Sequence, residues 1–470
     1  LGASEAASRL CAFGYCDVHI LENGVAGWKA AGFELFSGVN VPSKAFGEFV
    51  ESVYGTPHVS AQELKALQES GTELVVLDSR PLPEFQNMNI PGGVCCPGAE
   101  LVYRVHDLAP DPDTLVVVNC AGRTRSIIGS QSLINAGIPN RVVALKDGTM
   151  GWHLAGLELA RGQTQSFPPV SNDGLKRALE CAKGVAARFE VPEIDIATLD
   201  KWREDTTRTL YVLDVRGRRE YEAGHLADAR WAPGGQLVQA TDRTVGVKGA
   251  RLVLVDDNGV RTTMTASWLI QMGWNDTYVL NDALESGPLV KESHQPHVFG
   301  LEAATPETVS PHALSALMVG GGAIVVDLTD SRDHRNGHIP GSRFAIRANL
   351  PGNLDAIPDA ISGGAKIVLT STDGVLARLA AVDAILSGRD VKVLDGGTGA
   401  WADAGLPLAT GFKDALDDTV DVWYRPYDLD EGNEEAMETY LTWEVGLSDQ
   451  IERDGTTRFR NFAAPPTANT

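Results

Sequence analysis

The residues of this 470-residue chain best suited to chemistry lie in one run, Leu115-Val-Val-Val-Asn-Cys120-Ala-Gly-Arg-Thr-Arg-Ser126. Four apolar β-formers lead to a cysteine and a short loop with two arginines. A helical pattern then continues from Ile127 to Ala136. A thiol so placed faces a helix N-terminus and two guanidinium groups, and both favour the nucleophilic thiolate. The backbone amides of Ala121, Gly122, Arg123, Thr124 and Arg125 are expected to form an anion-binding nest around Cys120. Arg123 and Arg125 are expected to grip an anionic substrate by charge-assisted hydrogen bonds. The Thr124 and Ser126 hydroxyls add donors, and Ser126 also suits a helix cap.

The rest of the composition bounds the function. A net charge of −22 argues against a nucleic-acid partner, which would select a basic face. Apolar content of 43% and charged content of 22% are those of a globular protein of about three domains by length. The other five cysteines, Cys11, Cys16, Cys95, Cys96 and Cys181, are too few for a disulfide scaffold and read as buried, inert thiols. No Cys-x-x-Cys pair occurs, so neither zinc nor a thioredoxin-type redox centre has ligands, and no metal or cofactor is expected. No 18-residue apolar run and no signal pattern are present, so no membrane partner and a cytoplasmic location are expected.

The elements that must position the cysteine repeat along the chain. Gly27-Trp-Lys-Ala-Ala-Gly-Phe-Glu-Leu recurs as Gly151-Trp-His-Leu-Ala-Gly-Leu-Glu-Leu and as Ala400-Trp-Ala-Asp-Ala-Gly-Leu-Pro-Leu. The second interval is close to twice the first, which places a degraded copy at Tyr278-Val-Leu-Asn-Asp. A second signature opens the full repeats: Val76-Leu-Asp-Ser-Arg80, Val212-Leu-Asp-Val-Arg216 and Val325-Val-Asp-Leu-Thr329, each with an acid further on at Glu84, Glu220 or Asp333. Asp78, Arg80 and Glu84 read together as a buried polar network. This period is too long for a solenoid and indicates domain duplication. Short Val/Ile/Leu strands alternate with helical patterns of 10–15 residues, the α/β pattern of a mainly parallel sheet with helices on both faces. In such sheets the site lies beyond the strand C-termini, where Cys120 falls.

These residues resemble one family, the rhodanese-type sulfurtransferases, in a tandem form with four units and the first partial. The elements that carry the resemblance are Leu77-Asp-Ser-Arg80, Ile90-Pro-Gly92, the loop Cys120 to Ser126 and Asp147-Gly148…Gly151-Trp152. It divides the chain into the C-terminal part of a first rhodanese-like domain (1–38) and a linker (39–57). A second domain (58–161), a linker helix (162–192), a third domain (193–290), a fourth domain (304–412) and an acidic helical tail (413–470) follow. The first unit is expected to pack on the rest of the chain or to need its missing half. The tail stripe Met437, Tyr440, Trp443, Val445 and Leu447 is expected to clasp a domain. The resemblance implies that the sulfane sulfur of thiosulfate or a related small anion moves to Cys120 as a persulfide, and then to cyanide or a thiol. The third unit has Asp257, and the fourth Thr372, where the cysteine belongs, so both are expected to be inactive. Asn89 stands where the family often has His.

Two other readings stay open. A persulfide carrier would hand sulfur to an acceptor protein, using the inactive units as docking surfaces. A cysteine-dependent phosphatase needs a Cys-x5-Arg loop, whereas Cys120 to Arg125 is one residue shorter and suits one sulfur atom better than a phosphoryl group.

Overall fold

Each Val/Ile/Leu run becomes a short strand, and nearly all pair in parallel, because helices cover both faces of each sheet and leave no face to water. The computed structural model describes residues 2–462 apart from 286, 293, 295, 358–363, 387 and 430. The third domain (193–290), the fourth domain (304–412) and the tail (413–470) fall partly outside these residues. The chain forms two compact units, residues 1–28 with 296–428 and residues 29–295 with 429–470.

The larger unit holds two five-stranded sheets. In the first, β1 (His58–Val59), β2 (Leu74–Asp78), β3 (Val94–Cys95), β4 (Leu115–Asn119) and β5 (Val142–Leu145) lie in the order β1-β5-β4-β2-β3. Every pairing is parallel. β4 is central and buried along its length, which is why its sequence is apolar without alternation. The second sheet repeats the pattern with β6 (Glu193–Ile194), β7 (Leu210–Asp214), β9 (Arg230–Trp231), β10 (Arg251–Val255) and β11 (Thr277–Leu280), ordered β6-β11-β10-β7-β9. Separately, β8 (His225–Leu226) pairs antiparallel with β12 (Leu289–Val290). The degraded copy at Tyr278 is thus strand β11, paired with β10 and β6.

The two segments read as linkers are core elements. Helix Val41–Tyr54 buries Phe46 and Val50, and helix Asn172–Arg188 buries Ala178, Ala182 and Val185. All five belong to one apolar cluster that runs from Leu101 and Val116 in the second domain to Leu252 and Trp268 in the third. Trp268 closes it by donating its indole N–H to Ser132 at 2.8 Å. Each large side chain so buried contributes about 1.5–3 kcal/mol, enough to make helix Val41–Tyr54 a fixed wall.

In the smaller unit, β13 (Thr308–Val309), β14 (Ala323–Asp327), β15 (Arg343–Phe344), β16 (Lys366–Thr370) and β17 (Val391–Leu394) form a third sheet of the same order, β13-β17-β16-β14-β15. The N-terminal helix Ala3–Ala12 has no buried residue but is tied to this repeat. Arg9 reaches Asp383 at 3.1 Å, and Phe13 stacks on Phe299 with ring centroids 5.1 Å apart.

The repeated motifs have structural causes. Trp152 and Trp401 donate their indole N–H groups to the carbonyls of Glu158 and Pro407, each at 2.9 Å, pinning the turn after the helix. The buried Asp78 accepts from Arg80 at 2.7 and 2.8 Å and from Asn119 at 2.9 Å. Asp214 holds Arg216 in the same way, and Asp327 holds His334. Glu84 acts on the Asp78–Arg80 network through its charge on Arg80. It pairs with Arg125 of the cysteine loop, as Glu220 pairs with Arg261 one repeat later. In these two repeats the acid at fixed offset is spaced to meet the loop arginine.

Candidate active site at the Cys120 loop

Cys120 leaves the end of β4 and helix Thr124–Asn135 begins four residues later. Its Sγ lies 3.5 Å from Ser126 Oγ, whose hydroxyl donates to the Arg123 carbonyl at 2.8 Å. The turn at Asp147-Gly148 clamps the loop from behind. Thr149 N–H donates to the Cys120 carbonyl at 2.9 Å and Met150 N–H to the Ala121 carbonyl at 3.0 Å. Gly148 has φ +56°, and a Cβ there would lie 2.3 Å from the Cys120 oxygen, so only glycine fits. Gly397 repeats this against Ser371, with φ +66° and 2.1 Å.

Strand register corrects which residues stand at the cysteine position elsewhere. Ser79 N–H donates to the Asn119 carbonyl, Val215 N–H to Val255 and Leu328 N–H to Thr370. The residue after each acceptor is therefore Cys120, Asp256 or Ser371, not Asp257 or Thr372. The sequence offset arose because Asp256-Asp257 and Ser371-Thr372 offer two similar residues in a row, and only pairing with the neighbouring strand fixes the frame. Asp256 accepts from the N–H groups of Gly259 at 2.7 Å, Arg261 at 3.0 Å and Thr262 at 3.1 Å. The amides that open the following helix thus converge on whatever side chain ends the strand.

The loop arginines do not hold an open binding position. Arg123 is buried, with Glu48 at 2.7 and 2.8 Å, Glu51 in contact and Asp147 at 3.3 Å. Burial works against its charge, but these carboxylates win and raise its pKa above the ordinary arginine value. Arg125 makes two bonds to Glu84 at 2.7 and 3.0 Å and a third to Gln236 at 3.0 Å. Lys44, on helix Val41–Tyr54, is a buried cation within electrostatic reach of Cys120. Burial lowers its pKa, Arg125 adds to that, and Glu444 and Cys120 oppose it.

The mouth of the loop is closed by helix Asn433–Asp454. Its Glu444, 1% exposed, accepts from the Thr124 hydroxyl with Oε1 and lies 3.7 Å from Lys44 Nζ. Lys44 also contacts the Tyr440 hydroxyl and sits 4.4 Å from that ring's centroid. A Cβ at Gly122 would lie 3.2 Å from Glu444 Oε2 and 3.4 Å from the Tyr440 ring. Cys120 itself is only 2% exposed. The tail helix does clasp a domain, but the buried stripe is Met437, Glu444, Leu447 and Ile451, and Val445 is exposed. Lys44, Glu48, Tyr440 and Glu444 were missed from sequence. A glutamate set within an apolar stripe of period 3.6 was the one signal available.

The remaining cysteines divide. Cys95 and Cys96 are buried, and burial, reinforced by Asp78, pushes the Cys95 thiol up to about 12. Burial drives Cys96 up as well. Cys11 and Cys16 are exposed, contrary to expectation, because their helix and turn lie on the surface. Cys181 is half-buried beside His106. Among the described residues no group of three His, Cys, Asp or Glu side chains is placed to hold a metal, and no helix is long and apolar enough to cross a membrane.

Comparison with known proteins adds three findings. The rhodanese-like domain family matches residues 60–155, 195–286 and 310–404. A thiosulfate sulfurtransferase from Pseudomonas aeruginosa is 48% identical, with 97% of this chain and 86% of that chain covered, at a TM-score of 0.87. An HTH-type transcriptional regulator of Mycobacterium tuberculosis is 34% identical over 112 residues, 23% of this chain. The match spans about half of that protein's length, 48%. Helices Val41–Tyr54 and Asn433–Asp454 lie outside the family matches.

Proposed function

This chain belongs to the rhodanese-like domain family, and from that premise we propose that it is a sulfurtransferase acting through Cys120. The observation that carries the reading is the convergence of helix-opening amides on the side chain at the end of the strand, seen at Asp256. Of the three such positions only Cys120 can hold a sulfur. The likeness to the Pseudomonas thiosulfate sulfurtransferase supports the reaction class.

The Cys120 thiolate attacks the outer sulfur of thiosulfate. A new S–S bond forms, the old one breaks, and sulfite leaves with the electron pair. The first-turn amides of helix Thr124–Asn135, which lack partners one turn back, stabilise the charged persulfide. An acceptor then takes the outer sulfur and returns Cys120 to the thiolate. Ala121 to Ser126 act here through their backbone amides, since the Thr124 hydroxyl is given to Glu444 and the Ser126 hydroxyl to the Arg123 carbonyl. Arg123 and Arg125 act by fixing the loop through Glu48, Glu51 and Glu84, rather than by meeting the donor. A phosphatase reading is weakened by the same pairing, since Arg125 is committed to Glu84. The burial of Cys120 under the terminal helix favours, as a second reading, a carrier that releases sulfur only to a chosen acceptor.

The test is intact-mass measurement after thiosulfate treatment. A gain of one sulfur, mapped to Cys120 and absent from a folded Cys120→Ser variant, is expected. A wild-type protein that gains no sulfur, or a variant that keeps full transfer, overturns the reading.

A further inference from the structure

We propose that Glu444 is the proton acceptor for the second substrate of this site, and that this substrate is a neutral thiol rather than a small anion. The inference rests on the persulfide reading above and concerns the acceptor half-reaction. It starts from an unsatisfied atom. Glu444 is 1% exposed, its Oε1 takes the Thr124 hydroxyl, and its Oε2 has no hydrogen-bond partner among the described residues. Leaving a buried carboxylate oxygen unpaired is costly, and of the twelve buried side-chain atoms so left among the described residues this is the one carboxylate oxygen. The oxygen is aimed at Gly122, two residues along the loop from the cysteine.

The surroundings suit a proton acceptor. Lys44, 4% exposed, stands 3.7 Å from Oε1 and holds the carboxyl group from the Val41–Tyr54 side. Glu48, on the same helix, is already paired with Arg123 and acts on Glu444 only through its charge. Tyr440 occupies Lys44 from the terminal helix. Glu444, its charge shared only with Lys44, adds nothing that would draw in a small anionic acceptor, which must rely, as the donor does, on the loop amides. A neutral thiol meets the opposite: its S–H is a donor, and Oε2 is an acceptor without a partner.

The step balances without a further reactant. The acceptor thiol gives its proton to Glu444 Oε2 as its sulfur attacks the outer sulfur of the Cys120 persulfide. The new S–S bond forms, the Cys120 S–S bond breaks, and its electron pair returns to the Cys120 thiolate. Glu444 then passes the proton to the released persulfide or to water. Lys44 is a positioning residue in this scheme.

The experiment uses the full chain loaded with one sulfur on Cys120, followed by single-turnover transfer to a low-molecular-weight thiol and, separately, to sulfite, which needs no deprotonation. Glu444→Gln keeps an oxygen for Thr124 but loses the base. Transfer to the thiol should fall about 100-fold, the low end of a general-base contribution. Transfer to sulfite should rise, because an opposing charge has gone. Glu444→Asp, which keeps a carboxyl group, should recover part of the thiol rate. Loss of both transfers together, or of neither, in a variant that still loads sulfur overturns the role of Glu444 and leaves the persulfide reading standing. Wild-type protein that does not load overturns both.

Discussion

Gly148→Ala offers a direct test of how the cysteine loop is held. A methyl group there has two costs. The backbone has φ +56°, a left-handed conformation that disfavours an L side chain by about 1–2 kcal/mol. The Cβ would also sit 2.3 Å from the Cys120 oxygen, 2.8 Å from the Ala121 carbonyl carbon and 2.8 Å from the Gly122 oxygen. All three are backbone atoms that no rotamer change can move, so overpacking adds about 1–3 kcal/mol. The sum, about 2–5 kcal/mol, is a large share of the 5–15 kcal/mol that stabilises a typical domain. The strain falls on the segment that carries the nucleophile, so sulfur loading should drop together with stability. Gly397→Ala is the matched control. Its Cβ would lie 2.1 Å from the Ser371 oxygen, in the other compact unit. Urea unfolding and Cys120 sulfur loading should be measured on both variants. Gly148→Ala should lower the first transition it affects and loading alike; Gly397→Ala should destabilise without reducing loading. A Gly148→Ala protein with wild-type midpoint and loading would refute the reasoning.

Arg123→Ala strips Glu48, Glu51 and Asp147 of their shared cation and leaves Glu48, 6% exposed, as an uncompensated buried acid. We expect a stability loss of about 3–5 kcal/mol, read as a lower urea midpoint, with donor KM little changed in the fraction that stays folded. A large KM effect without a stability loss would restore Arg123 as a donor ligand. For thiol titration, the folded pKa of Cys95 lies at about 12, above its ordinary value. An acid with a raised folded pKa keeps its proton more tightly when folded, so this group's contribution to stability is lost as pH rises from about 9 towards 12. Between pH 7 and 9, alkylation mapped by mass spectrometry should therefore label the exposed Cys11 and Cys16 and spare Cys95 and Cys96. Labelling of Cys95 in folded protein at that pH would contradict its assigned burial.

Much of the architecture is written in local sequence. The Val/Ile/Leu runs are strands because β-branched residues favour that geometry, and their lack of alternation marks sheets covered on both faces. The repeats identify duplicated domains, and Cys120 before a helical stretch is legible as a loop facing a helix N-terminus. Gly148 was legible as part of a motif, though its reason, the approach of the Cys120 carbonyl, was not.

Tertiary packing decided what touches the sulfur. Arg123 and Arg125 look like free cations in sequence because their partners, Glu48, Glu51 and Glu84, lie tens of residues away, and even the repeated position of Glu84 does not name its partner. The frame at Asp256 and Ser371 depended on strand pairing. Lys44 and Glu444 come from helices Val41–Tyr54 and Asn433–Asp454, outside the family matches, and only packing brings them together over one loop. Sequence periodicity reports which face of a helix is buried. It carries no information on which distant face it meets, because that is set by the summed burial of the whole unit rather than by any short run of residues.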